Sequence, residues 1–252
     1  NFKENTMDEI ITNMVGREIK EKFPSVECEK VEKVFEVRNL NAGRMVRDVN
    51  FEVYAGEIVG FAGLMGAGRT ETTRAIFGVD PKESGEIFLD GKPVVIRCPA
   101  DAIKAGIVLA PEDRKKDGLC TKLPIRENIA LPNLDLLCSK LGVVNRRKED
   151  TMCEKAVANL KIKTPNVEID AGGLSGGNQQ KVVVGKWVAR DSRVVIFDEP
   201  TRGIDVAAKV EIYNLMNQLK QQGIAVMFVS SEMPEVMGIA DRIIVMCDGR
   251  IT

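Results

Sequence analysis

Val194-Val195-Ile196-Phe197 runs directly into Asp198-Glu199-Pro200. Four apolar residues in a row read as a buried strand, and this one delivers two adjacent carboxylates at its carboxyl end. Upstream, Leu174-Ser175-Gly176-Gly177-Asn178-Gln179-Gln180 places a serine and two glycines where a loop meets a helix. Such a turn is a ready-made anion site, because the first N–H groups of a helix lack partners. The order and closeness of these two segments constrain the fold more than anything else in the chain.

The 252 residues suffice for one large α/β domain or two small ones. With 44% apolar and 29% charged residues the chain is an ordinary globular one, neither disordered nor fibrous. A net charge of −1 gives no footprint for nucleic acid or an anionic membrane. No apolar run approaches the roughly 18 residues that span a bilayer, and residues 1–14 lack the pattern of a signal peptide. Cys28, Cys98, Cys120, Cys138, Cys153 and Cys247 are scattered, which favours reduced thiols over a disulfide framework or metal knuckle. Histidine is absent altogether, which removes imidazole acid–base chemistry.

Residues 7–22 carry a helical stripe (Ile10, Ile11, Met14, Val15, Ile19) broken by Gly16. Residues 1–25 therefore read as a linker helix ahead of a main domain at 26–252. The missing initiator methionine implies a piece of a longer protein, and the end soon after the last core strand implies a truncated tail. Between residues 34 and 96, alternating runs such as Val49-Asn50-Phe51-Glu52-Val53 read as strands with tight turns. Residues 126–160 turn helical. Strands then alternate with helices to residue 246, the pattern of a mainly parallel sheet.

The strand at residues 58–62 leads into Gly63-Leu64-Met65-Gly66-Ala67-Gly68-Arg69-Thr70, and residues 71–77 continue as a helix. Glycines let successive backbone N–H groups point at phosphate oxygens, reinforced by the helix N-terminus. Gly63, Gly66, Ala67, Gly68, Arg69, Thr70 and Glu71 are thus candidate nucleotide-binding residues, with Thr70 offering its hydroxyl to Mg²⁺. The standard motif has lysine where Arg69 stands, and a planar fork does not replace an ammonium without consequence. A glycine-rich turn with no phosphate is the competing reading of the loop alone. Asp198 weighs against it, since it can hold Mg²⁺ directly or through water while Glu199, the candidate catalytic residue, polarises the attacking water.

Residues 174–181, with their spacing to Asp198-Glu199, resemble the signature motif of ATP-binding-cassette proteins. The resemblance covers nearly the whole chain. It implies an α/β fold, a P-loop NTPase core with a mainly parallel sheet, an N-terminal antiparallel β subdomain and an inserted α-helical subdomain at about 120–178. It also implies head-to-tail pairing, so that Ser175, Gly176, Gly177 and Gln179 serve a nucleotide bound mainly by the partner, with Asp205 in the interfacial D-loop. Arg69, Glu112 in the glutamine-loop region and Glu232 near the switch-histidine position together resemble the second cassette of bacterial monosaccharide importers. The implied partners are an N-terminal cassette in the same polypeptide (or a second copy), membrane permease subunits and, indirectly, an extracytoplasmic sugar-binding protein. No nucleic-acid partner is implied, and the implied location is the cytoplasmic face of the cell membrane.

Glu112 and Glu232 would bring carboxylates near a triphosphate, which is costly unless Mg²⁺, Arg69, distance or a proton offsets them. A site that binds ATP but hydrolyses it slowly is therefore expected. No aromatic precedes the first long strand to stack on adenine, and Arg44 is one substitute. Arg114, Lys115 and Lys116 are either a solvated loop or a permease contact. Besides a transport ATPase, a regulatory half-cassette that only completes its partner's site remains open. A cassette of translation or DNA repair predicts a basic surface or long inserted helices, and neither is visible.

Overall fold

Alternating burial builds the first layer. In the computed structural model, which describes residues 22–28, 32–190 and 192–252, strands β1 (Lys33–Ala42), β2 (Val46–Tyr54), β4 (Ser84–Leu89) and β5 (Lys92–Val94) form an antiparallel sheet in the order β2-β1-β4-β5. Phe35 faces Val53 and Val37 faces Phe51 across β1 and β2, all four buried. The expected linker helix falls mostly on residues 1–21, outside the described residues.

The second sheet has the order β10-β9-β3-β8-β7-β6. It comprises β3 (Ile58–Gly63), β6 (Ile107–Ala110), β7 (Val194–Asp198), β8 (Ala225–Val229), β9 (Arg242–Cys247) and β10 (Arg250–Ile251). All its pairings are parallel except that of the short β10 with β9. Every residue of β6, β7 and β8 is buried, because both faces of the sheet are covered. Successive side chains feed opposite cores: Val194 and Ile196 join the β-rich core, whereas Val195 and Phe197 join the helical one. The Phe51 and Phe61 rings, 5.2 Å apart and edge-on, tie the antiparallel sheet to β3.

Eight α-helices are described: α1 (Arg69–Phe77), α2 (Pro99–Ala105), α3 (Ile125–Ala130), α4 (Leu134–Leu137), α5 (Arg146–Asn159), α6 (Gly176–Val188), α7 (Val206–Gln221) and α8 (Met233–Ile239). Helices α3 to α6 lie between β6 and β7, where the sequence reads as helical. Strand β6 is absent from that reading, although Ile107–Ala110 is an apolar run of the same length as the one in β7; its Leu109 carbonyl accepts a hydrogen bond from Trp187 Nε1 at 3.1 Å. The fold is therefore an α/β P-loop NTPase core with an N-terminal antiparallel sheet and helices inserted before β7.

One buried arginine braces the inserted helices. Arg126 donates to both oxygens of Glu168 at 2.7 and 2.9 Å and to Glu149 at 3.0 Å. Glu149 is almost wholly buried and keeps a second partner in Arg146 at 3.2 Å. Breaking a buried pair costs about 3–5 kcal/mol, and the remaining Arg146 contact places Arg126→Met near the lower end. Urea denaturation should show a loss of about 3 kcal/mol, partly recovered when Glu149→Gln is added.

Candidate functional site

Two glycines allow the loop after β3 to curl tightly. Gly63 has φ of +153°, and a Cβ there would lie 2.5 Å from the Met246 carbonyl. Gly68 caps α1 with φ of +99°, where a Cβ would collide with the Met45 carbonyl. The turn between β1 and β2 is thereby pressed against the loop, while Leu64 and Met65 stand exposed. Gly66 and Ala67 complete the curve, and Glu71 falls in the first turn of α1. The helix starts two residues earlier than the sequence suggests, at Arg69, because a left-handed glycine ends the loop.

Opposite the loop, β7 delivers its carboxylates. Thr70 Oγ1 donates to Asp198 Oδ1 at 3.1 Å, and Thr73 Oγ1 lies 3.3 Å from Asp198 Oδ2. Asp198 is 2% exposed. Burial is the chief cause that pushes its carboxyl up to about 6; the threonine hydroxyls act in the opposite direction, and the neighbouring Glu199 adds to the rise.

Glu199 sits at φ of +46°, a left-handed backbone that costs a non-glycine residue about 1–3 kcal/mol and concentrates at functional sites. Its N–H donates to the Val229 carbonyl at 3.0 Å, which pins the bend to the end of β8. Ser231 Oγ donates to Glu199 Oε2 at 3.1 Å, and Arg69 Nη2 lies 3.7 Å from Oε1. Arg69 also donates to the Ser230 carbonyl at 2.5 Å. Its guanidinium thus links the phosphate loop to the ends of β7 and β8.

The expected carboxylates near the triphosphate have other partners. Glu112 forms an ion pair with Arg202, on the turn after β7. Glu232, more than half exposed, meets Lys209 Nζ at 2.5 Å. Two local cations offset both charges without calling on Arg69. At this end of β8 the residue on Glu199 is Ser231, not Glu232, because α8 starts at Met233 and Glu232, as its N-cap, turns out to Lys209 of α7. Thr73 and Ser231 are site residues that the sequence reading missed. Thr73 lies one helical turn after Thr70, a spacing that could have revealed it; Ser231 belongs to the Ser230-Ser231-Glu232 segment at the switch-histidine position, from which the sequence reading singled out Glu232.

At the other turn, Ser175 is exposed, caps α6 and has its hydroxyl fixed by Asn178 Nδ2 at 3.0 Å. Gly177 is buried where α6 meets α7, since a Cβ would lie 2.6 Å from that of Ala208. Gln179 faces inward: its amide nitrogen donates to the carbonyls of Ala171 and Gly172 at 3.3 and 3.2 Å. Asp205 caps α7 by accepting from the Ala208 N–H at 2.9 Å. Of the basic cluster, Lys115 and Lys116 are exposed, whereas Arg114 turns in to the 202–203 turn. Arg44 lies exposed on the β1–β2 turn beside the loop.

Among the described residues no group of three or more His, Cys, Asp or Glu side chains could hold a metal ion, and no helix is long and apolar enough to cross a membrane. A glycine loop between a central parallel strand and a helix, facing a threonine-bonded aspartate, defines a nucleotide-binding ATPase domain. The ABC transporter family profile matches residues 46–202, so the chain belongs to that family, whose members hydrolyse ATP. It is 49% identical over its whole length to the ribose import ATP-binding protein RbsA of Bacillus subtilis (strain 168), covering 51% of that protein. It is likewise 49% identical, over 259 aligned residues, to the xylose import ATP-binding protein XylG of Thermoanaerobacter pseudethanolicus (strain ATCC 33223 / 39E), covering 50% of that protein. A nucleotide-free ATP-binding cassette from an ABC transporter shares the fold, with a TM-score of 0.76 at 20% identity over 87% of this chain and 90% of that one. The chain thus spans about half the length of the curated relatives it matches.

The raised Asp198 carboxyl fixes a sign. A folded-state value of about 6 exceeds the ordinary 3.8, so Asp198 favours the folded state while protonated, and this contribution is lost as pH rises from about 4 through 6. Asp198→Asn should raise the melting temperature of the nucleotide-free protein at pH 7.5 by about 2–8 °C. The same variant should lose the stabilisation that Mg²⁺ with ATP confers on the wild type, which a thermal melt with and without nucleotide would measure.

Proposed function

We propose that the chain is one ATP-binding and ATP-hydrolysing half of a two-cassette protein that powers import of a simple sugar through a separate membrane permease. The observation that carries this reading is the convergence on one loop of Thr70, the buried Asp198 and the strained Glu199. The names of the relatives, ribose and xylose import proteins, support the sugar class. Their doubled length supports a second cassette as partner, with the permease and an extracytoplasmic binding protein beyond it and the cytoplasmic face of the membrane as the location.

A hydroxyl and a buried carboxylate are hard oxygen donors and fit Mg²⁺, which prefers one or two carboxylates plus substrate phosphates over an all-protein cage. Thr70 and Asp198 would hold it, and when bound it neutralises charge developing on the phosphates. The backbone N–H groups from Gly66 to Thr70 cradle the phosphates. Arg69 exchanges its contacts with Glu199 and the Ser230 carbonyl for phosphate oxygens. That exchange frees Glu199 to orient and polarise the attacking water. Ser175, Gly176 and Gly177 face the nucleotide of the paired cassette.

Slow local turnover is a second reading, and the Ser231–Glu199 contact favours it. A serine hydroxyl positions the carboxylate through a neutral hydrogen bond but takes up no further proton near neutral pH, whereas a histidine can. One missing donor to developing charge costs roughly 10²–10³ in rate.

In the full polypeptide, with the other cassette's catalytic carboxylate silenced, Glu199→Gln should lower the remaining ATP turnover by roughly 10²–10⁴-fold. Unchanged turnover would remove Glu199 from the mechanism. Ser231→His should raise turnover in that background, and a fall would count against the slow-site reading. Uptake of labelled ribose and xylose into vesicles that carry the assembled transporter tests the substrate class.

A further inference from the structure

Arg114 makes contacts that neither phosphate binding nor Mg²⁺ binding requires. It follows Asp113, whose carboxylate accepts the Lys115 and Lys116 N–H groups at 3.1 Å each and so fixes the turn of π-helix at Arg114–Gly118. From that turn Nη1 donates to the Arg202 carbonyl at 2.9 Å, Nη2 to the Gly203 carbonyl at 3.3 Å and Nε to Gln179 Oε1 at 3.3 Å. Gln179 lies in the first turns of α6, and its N–H donates to the Ser175 carbonyl at 2.8 Å. One guanidinium therefore joins the segment after β6, the turn after β7 and the serine–glycine turn.

The packing leaves little slack. A Cβ at Gly176 would lie 2.7 Å from Arg114 Nη2 and 3.2 Å from the Gly203 carbonyl. Glu112, two residues before Arg114, grips the side chain of the same Arg202. The turn at Arg202-Gly203 is thus held through both backbone and side chain, immediately after the Asp198-Glu199 bend. Only a planar fork with several fixed donors reaches three acceptors in this way; a lysine ammonium does not.

We infer that Arg114 is a positioning residue that sets the Ser175–Gly177 turn relative to the bend carrying Glu199, and so couples the local ATP site to the partner's. This inference rests on the reading that Ser175 to Gly177 serve the paired cassette's nucleotide. A shift of the Arg202-Gly203 turn moves the guanidinium, and through Gln179 and Gly176 it moves the serine–glycine turn with it.

The test uses the full polypeptide carrying Glu199→Gln, so that turnover reports the partner's site. Arg114→Gln should lower kcat roughly 10–100-fold, the scale of a misplacement of about 1 Å near a reacting centre. Binding of a fluorescent ATP analogue to the local site and the melting temperature should stay unchanged, and Arg114→Lys should not restore kcat. If local nucleotide affinity and melting temperature fall together with kcat, Arg114 is a general structural brace and the inference is overturned. If Arg114→Gln leaves kcat intact while Ser175→Arg abolishes it, the link fails but the role of the serine–glycine turn stands. If Ser175→Arg also leaves kcat intact, that role fails and Arg114's falls with it.

Discussion

Strands buried on both faces leave no room for polar side chains along their length. β6, β7 and β8 are buried throughout, so charge is driven to their carboxyl ends, where neighbouring parallel strands stop together. Asp198 stands at such an end, opposite Val229 of β8. A carboxylate there is desolvated by the same packing that makes the sheet stable, and the threonines of α1 only partly compensate. Ligands of open α/β sheets bind at this edge for the same reason. The site is a consequence of how the sheet is buried.

The charges around that edge are organised in local pairs. Glu112 meets Arg202 and Glu232 meets Lys209, while the buried Glu235 takes hydrogen bonds from Lys209, Thr201 and Ser230. Arg69 is left to approach Glu199 and the Ser230 carbonyl. Substitutions that look hostile to a triphosphate in the linear sequence are thus neutralised in space, and Arg69 links the phosphate loop to Glu199.

Much of the site was legible beforehand because its parts are contiguous. The glycine loop, Thr70, the Asp198-Glu199 pair and the serine–glycine turn each occupy a few consecutive residues, and strands β3, β7, β8 and β9 announced themselves as apolar runs. Strand β6 went unread although Ile107–Ala110 is an apolar run of the same length as that in β7. Ser231 and Thr73 were missed because their roles depend on which way β8 and α1 aim their next residue. Arg114 offered two readings in sequence, a solvated loop or a permease contact; the fold turns it inward to backbone carbonyls far along the chain.

The sequence by itself determined the class of chemistry. Residue type and local order decide whether backbone N–H groups can cradle phosphate and whether a buried strand ends in acid. Only the tertiary structure decided which carboxylates remain unneutralised, which hydroxyl reaches Glu199 and where Arg114 ends. Those are contacts between residues remote in sequence, and their energies depend on distance and burial, which linear spacing does not encode.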